Sequence, residues 1–269
     1  MLDPNISSPA SLPVEGDIDT ALSAFSRHGL SDLSNSSLMN RVDSKFLLPT
    51  SSLIDVINAC QDDYSLLEIN GLTKFIYENL YFDSPSLNLY HHHHNRKLNR
   101  FKVRHRHYAD VGTSYLEVKF KNNKGRTIKN RCLSVRDPIA ALENNHDFLE
   151  GHGVPKTQEL IALQNCTYQR VSLANEKRGE RITFDLGVTF SDAKISSSQK
   201  NPYQLSNYFI AELKQSTLDR ESPFYRLMRE MSVRPKGFSK YCMGVALTHT
   251  QPIKKNRFKA NILRLQKGA

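Results

Sequence analysis

FKVRHRHYADVGTSYLEVKFK, residues 101–121, reads as two strands joined by a turn. A strand points successive side chains to opposite faces. That places Lys102, Arg104, Arg106 and Tyr108 on one side of the first strand. In the second, Tyr115, Glu117, Lys119 and Lys121 share a side, and Leu116, Val118 and Phe120 share the other. Asp110 to Thr113, with Gly112, supplies the hairpin turn. The hairpin therefore carries one apolar face and one face of cations with a single carboxylate. Standing alone, such a hairpin would turn its charges to water.

The pattern recurs along the chain. RVDSKFLL (41–48) puts Arg41, Asp43, Lys45 and Leu47 on one face. Lys74 to Phe82 is a further strand, rich in aromatic residues, and Arg126 to Val135 aligns Lys129, Arg131 and Leu133. Thr167 to Leu173 aligns Tyr168 with Arg170, RITFDL (181–186) alternates Arg181, Thr183 and Asp185 with apolar residues, and FIAELK (209–214) sets Glu212 beside Lys214. In RPKGFSKYCMGVAL, Lys236, Ser239 and Lys240 precede what reads as a final apolar strand.

Between these segments lie helix signals. Asp17 to Arg27 offers Ile18, Leu22 and Phe25. After Pro49, Thr50 or Ser51 caps a helix using Leu53, Ile54 and Ile57. Asp137-Pro138 opens a helix with Ile139, Leu142 and Leu149, and Leu160, Ile161 and Leu163 suggest one more. Ser222-Pro223 opens a helix with a core stripe of Phe224, Leu227, Met228 and Met231.

About eight strand-like segments alternate charge with bulky apolar residues. With the charges outside, the apolar faces would form a sandwich core. With the charges inside, the sheet closes into a barrel whose apolar exterior is covered by the helices. The lining would hold the cations Lys45, Arg104, Arg106, Lys119, Lys129, Arg131, Arg170, Arg181, Lys214 and Lys240, with Asp43, Glu117, Asp185 and Glu212 in phase. So charged a lumen is expensive unless carboxylates, water and an anionic ligand neutralise it. A cation-rich lining with a few acids suits a polyphosphate chain with Mg²⁺ or Mn²⁺: arginine forks grip phosphate oxygens, and few protein carboxylates suffice for the metal. The expected fold is α+β, an antiparallel eight-stranded β-barrel with flanking helices.

The totals agree. The 269 residues carry a formal charge of +10 with a pI near 9.4, which points to anionic partners. No helix-turn-helix, zinc-finger or RNP-like pattern argues for sequence-specific nucleic acid. Cys60, Cys132, Cys166 and Cys242 form no C-x-x-C pair and read as buried small hydrophobes in a reducing compartment. The start has no secretory pattern, and no apolar run approaches the ~20 residues of a membrane span. A cytoplasmic location is the expectation. The run His91 to His94 reads as part of a basic loop or short helix near the mouth of an anion site rather than a metal site. Residues 1–37 read as a partly disordered extension, 38–250 as the barrel domain, and 251–269 as a basic tail or docking helix with Phe258, Ile262 and Leu265 as its stripe.

NRVDSKF (40–46), YENLYFDSP (77–85), RFKVRHRHY (100–108), YLEVKFK (115–121), TIKNR (127–131), YQR (168–170), RITFD (181–185), AELK (211–214) and SKY (239–241) resemble, in order, the VTC-type polyphosphate polymerase domain of the bacterial branch, within the CYTH-like triphosphate tunnel metalloenzymes. The resemblance implies an eight-stranded tunnel with a basic lumen. It implies that Arg104, Arg106, Lys119, Lys129, Arg170, Arg181 and Lys240 hold phosphates, that Tyr168 and Ser239 donate hydrogen bonds, and that Lys236 assists. It implies Glu212 as the metal ligand, with Glu117 as a further candidate, and Lys45 as the lysine that closes the first-strand signature. The catalytic group would be Lys45, Arg104, Arg106, Lys119, Arg170, Arg181 and Glu212, with Arg131 and Lys214 among the phosphate-binding residues. ATP and inorganic polyphosphate or pyrophosphate would be the substrates. Since relatives sit in membrane complexes, the resemblance also allows a membrane-protein partner.

One departure bears on the reaction. Tunnel enzymes that hydrolyse triphosphates often begin E-x-E-x-K, whereas this chain has Arg41-x-Asp43-x-Lys45. Loss of the first carboxylate tilts the expectation from attack by water toward transfer to another phosphate. The alternatives are a tunnel triphosphatase and a non-catalytic polyphosphate-binding module.

Overall fold

A computed structural model describes residues 15–32, 42–194 and 202–267. Arg41 and about half of the N-terminal extension, residues 1–14 and 33–37, lie outside the described residues. Eight long strands make up the frame: β2 (Val42–Pro49), β4 (Lys74–Asp83), β5 (Arg100–Tyr108), β6 (Thr113–Lys121), β7 (Thr127–Ser134), β8 (Ile161–Asn175), β9 (Glu180–Asp192) and β11 (Tyr208–Gln215). They run antiparallel in the order β2-β11-β9-β8-β4-β5-β6-β7. Short strands β1 (Arg27–His28), β3 (Ser65–Leu67) and β10 (Tyr203–Gln204) attach to this path. The sheet curls around a lumen, but among the described residues β2 and β7 are not hydrogen-bonded to each other. The barrel is thus open along one seam. β7 is a mostly exposed edge, and its Lys129 and Arg131 are the kind of charge that keeps edges from pairing with other chains.

The hairpin of residues 101–121 forms as read. Arg104 stands opposite Glu117, Lys102 opposite Lys119 and Arg106 opposite Tyr115. Gly112 takes φ 70° in its turn, a conformation open to glycine at no steric cost.

Helices α1 (Glu15–Ser23), α2 (Leu53–Asn58) and α6 (Pro223–Glu230) cover the outer face of β2, β11, β9 and β8, where Phe46, Leu48, Val171, Ile182, Phe184 and Phe209 are buried. Helices α4 (Pro138–Glu143) and α5 (His146–Gly151) cover β4, β5 and β6 at Leu80, Val103, Leu116 and Val118. Asp137 and Ser222 cap α4 and α6 by accepting from Ala140 N and Tyr225 N. The turn after Pro49 lacks such a cap: Ser52 Oγ bonds back to Pro49 O instead.

Three expectations are corrected. Ile161 and Leu163 belong to β8, preceded only by a 3₁₀ turn at Thr157–Glu159. The helix expected across Ile139 to Leu149 is broken into α4 and α5, which leaves Ile139 43% exposed. The "final apolar strand" is helix α7 (Lys240–Thr248), capped by Ser239, whose hydroxyl accepts from Cys242 N. Tyr241 to Ala246 are all buried, so the run is apolar all round and carries no period to distinguish strand from helix.

α7 is not an outer helix. It packs with Leu47, Tyr81, Val188, Phe190 and Ile210 at one end of the lumen, and α8 (Lys259–Lys267) joins the same cluster through Phe258 just before it and through Leu265. Gly187, at φ 57°, lies where the β8–β9 register shifts, and the shift brings Val188 and Phe190 round to α7.

The histidine run lies in α3 (Asn88–His94) and lines neither of the cavities described below. Its role is packing: His93 and His94 lie against Phe258, and Arg257 donates to the carbonyls of both. Burial, with Lys102 and Arg100 nearby, pushes the His93 pKa down to about 2. All four cysteines are free thiols.

Candidate functional site: a cation-lined tunnel

The lumen has two parts. The inner part, about 260 Å³, is lined by Asp43 and Lys45 from β2, Lys102, Arg104 and Arg106 from β5, Glu117 and Lys119 from β6, and Lys129 from β7. Tyr168 and Arg170 from β8, Glu212 and Lys214 from β11, and Ser239, Lys240 and Tyr241 at the start of α7 also line it, with Tyr81, Ile210 and Phe238 as its less polar patches. Every charged strand residue named here is in the phase that strand alternation assigns to the charged face.

Carboxylates hold the cations apart. Glu117, 2% exposed, takes Arg104 at 2.6 Å and Lys129 on its other oxygen. Burial alone would raise its pKa, but Arg104, Arg106 and Lys129 outweigh that and hold it well below the usual range. Asp185, fully buried, receives a two-pronged bond from Arg170 at 2.6 and 2.9 Å, and also binds Lys240. Burial opposes its charge, but Arg170 and Lys240 hold its pKa low. Glu212 lies between Lys45 and Lys214, the latter at 3.3 Å.

Other cations bond to neutral groups. Lys102 donates to Ser239 Oγ at 2.9 Å. Arg106, 5% exposed, donates to Asn79 Oδ1 at 2.9 Å and Tyr168 O–H at 3.1 Å. Burial, joined by neighbouring cations, depresses the pKa of Lys45 and of Lys102, and burial brings Lys129 to about 8. For Tyr168, Arg106 and Arg170 outweigh burial and lower its pKa. Nine Lys or Arg side chains thus face only Asp43, Glu117, Glu212 and the adjoining Asp185. Such an excess in a confined space is relieved by a multivalent anion, and the first turn of α7 adds the positive end of a helix dipole.

Lys45, Arg104, Arg106, Glu117, Lys119, Lys129, Tyr168, Arg170, Glu212, Lys214, Ser239 and Lys240 come together here. Arg131 and Arg181 do not. They line the second part of the lumen, about 640 Å³, which meets the first at Arg170 and Lys214. Lys236 lines neither part; it is exposed, and its backbone N–H donates to Lys45 O. Sequence reasoning passed over Lys102, although it shares a face with Arg104. It also missed the buried Asp83, which accepts from Leu89 N and Tyr90 N and binds Tyr241, fixing the start of α7 against α3.

Among the described residues no three His, Cys, Asp or Glu side chains converge as a metal site. Glu212 would fit a metal such as Mg²⁺ or Mn²⁺, which takes most of its remaining ligands from phosphate and water, once Lys45 and Lys214 leave its two oxygens. Glu117 likewise has both oxygens on cations, Arg104 and Lys129, and is the more deeply buried of the two.

A curled antiparallel sheet around a cation-lined lumen defines a tunnel fold. The VTC domain family model matches residues 40–249, so the chain belongs to the VTC domain family. Among solved structures, a putative adenylate cyclase from Bacillus halodurans shares the fold, with a TM-score of 0.50 and 12% identity over 74% of this chain and 94% of that one. A putative adenylyl cyclase from Hippeastrum, described as having a dominant triphosphatase activity, aligns with a TM-score of 0.46 and 15% identity over 77% and 96%. No curated protein matches the sequence. No described helix is long and apolar enough to cross a membrane.

Proposed function

We propose that the tunnel is the active site of a polyphosphate polymerase that transfers the terminal phosphoryl group of ATP to a growing inorganic polyphosphate chain. The observation that carries the reading is the buried Arg106 and the half-buried Lys102, hydrogen-bonded to neutral groups in a lumen already rich in cations. Membership of the VTC domain family supports phosphate chemistry of this class.

The phosphate chain lies along Arg104, Arg106, Lys119, Lys129, Arg170 and Lys240, whose forks and ammonium groups hold it straight and neutralise it. Tyr168 and Ser239 donate hydrogen bonds to its oxygens. Glu212, released from Lys45 and Lys214 as those lysines turn to phosphate, would hold Mg²⁺ or Mn²⁺, which supplies further neutralisation of the transferred group. A terminal oxygen of the acceptor chain forms a bond to the γ-phosphorus, and the bond to the bridging oxygen of ADP breaks. That acceptor oxygen is already ionised, so no general base is required, and catalysis rests on alignment and charge stabilisation. Cation rather than carboxylate at position 41 favours this over attack by water.

The test is purified protein with ATP, Mn²⁺ or Mg²⁺ and a pyrophosphate primer, with products resolved by gel and free phosphate assayed in parallel. Long phosphatase-sensitive chains with matching ADP support the polymerase. Free phosphate without chains replaces it with a triphosphatase, and tight polyphosphate binding without turnover replaces it with a binding module.

A further inference from the structure

On β4 the lumen-side positions carry Phe75, Tyr77, Asn79 and Tyr81. Asn79 breaks this otherwise aromatic row, and it is only 4% exposed. Asparagine is depleted in strands, and a buried amide is costly unless its polar ends are bonded. Here both ends are. Asn79 Oδ1 accepts from Arg106 Nε at 2.9 Å, and Nδ2 donates to Cys166 O at 2.9 Å. Strand register sets this up, with Asn79 opposite Arg106 on β5 and opposite Cys166 on β8. The amide can face only one way: a guanidinium only donates and a carbonyl only accepts, so the oxygen belongs to Arg106.

Asn79 thus anchors Arg106 without touching its charge. The neighbouring guanidinium groups are held differently. Arg104 is paired with Glu117. Arg170, which lies over the same Tyr77 ring as Arg106, is paired with Asp185. An aspartate at position 79 would have the same shape and would give Arg106 a carboxylate too. The neutral residue leaves that place open. The other bond of Arg106 goes to the Tyr168 hydroxyl at 3.1 Å, and its Nη1 has no hydrogen-bond acceptor among the described residues. Arg106 therefore keeps both its charge and donors for a phosphate oxygen.

We infer that Asn79 is a positioning residue of the tunnel: it holds Arg106 in place yet leaves it without a counter-ion, so that the phosphate chain itself fills that role. The inference deepens the phosphate reading of the inner lumen and rests on it.

Tripolyphosphate titrated calorimetrically without metal, and thermal unfolding without ligand, test it on wild type, Asn79→Asp, Asn79→Leu and Arg106→Gln. Asn79→Asp keeps the anchor and adds a counter-ion. Its affinity is expected to fall roughly 10- to 100-fold, the worth of one hydrogen-bonded charge, and to match that of Arg106→Gln. Asn79→Leu removes the anchor and keeps the charge. An unsatisfied Arg106 Nε–H should lower its Tm by roughly 2–12 °C. Its affinity should fall by less than about fivefold, because a phosphate oxygen can accept from the released N–H. Of the two Asn79 variants, the leucine then has the lower Tm and the aspartate the weaker binding. A role in packing alone makes the less stable variant the weaker binder as well. That order, or an Asn79→Asp variant that binds within about twofold of wild type, the scatter of an uninvolved site, overturns the inference. If Asn79→Asp does not fold, Asn79→Leu and Arg106→Gln decide, and equal losses of affinity in those two overturn it. If wild type does not bind tripolyphosphate, the phosphate reading of the tunnel fails, and this inference with it.

Discussion

Replacing Asp185 by Asn removes one charge from the most buried ion cluster in the tunnel and keeps its shape. Asp185 is fully buried, and its partners Arg170 and Lys240 are only 12% and 13% exposed. The variant leaves both cations without a counter-ion in a site that water reaches poorly. Breaking one partner of a buried pair costs about 3–5 kcal/mol. For a chain of this length that lowers Tm by roughly 6–20 °C. A multivalent anion takes over the missing charge, so tripolyphosphate should raise the variant's Tm more than that of wild type. The pH dependence follows from the same pair. The folded pKa of Asp185 lies below its unfolded value, so its stabilisation is present above the ordinary carboxylate range and is lost as pH falls through and below that range. The variant should lack that part of the acid loss. Thermal unfolding between pH 3 and 8, with and without tripolyphosphate, measures all three effects. A fall of less than about 2 °C, well below the range just given, or equal shifts on adding the anion, refutes the reasoning that Asp185 is the counter-ion of Arg170 and Lys240 whose charge a bound anion can replace.

Glu212→Gln should reduce turnover by about 100-fold or more, the scale of losing one electrostatic stabiliser, and flatten the response to Mn²⁺ and Mg²⁺, with tripolyphosphate binding retained; steady-state assays across metal concentrations decide it. Tripolyphosphate affinity should weaken as pH rises through about 8, where Lys129 loses its proton; Lys129→Arg, which keeps its charge there, should make that loss shallower, what remains belonging to Lys45 and Lys102, whose pKa values burial also lowers, as seen by calorimetry. Gly244→Ala should cost roughly 1–3 kcal/mol, because a Cβ there would lie 2.8 Å from Gln164 Cδ and 2.9 Å from Phe190 Cδ1; urea unfolding measures it.

Strand alternation is local physics, and it made the charged face legible before any fold was known. Lys45, Arg104, Glu117, Lys119, Arg170 and Glu212 share the lumen because each holds the right parity in its own strand. Hairpin and cap chemistry likewise placed the turn at Gly112 and the starts of α4 and α6. Parity says nothing about neighbours, so which acid meets which cation was decided by tertiary structure. Asp185 reaches Arg170 across β8 and β9, and Lys240 reaches the same carboxylate from a helix 55 residues away. The segment from Tyr241 to Ala246 could not be assigned from its own composition, because its environment is apolar on every side. Arg131 and Arg181 have the parity of phosphate ligands, yet they stand in the part lined by Tyr77, Tyr108 and Tyr115 because position along a strand, and not face alone, sets which part of the lumen a side chain enters. The composition of the chain pointed to an anionic partner; the packing of α7 at one end and of Tyr77, Tyr108 and Tyr115 at the other divided the lumen into a charged part and an aromatic part.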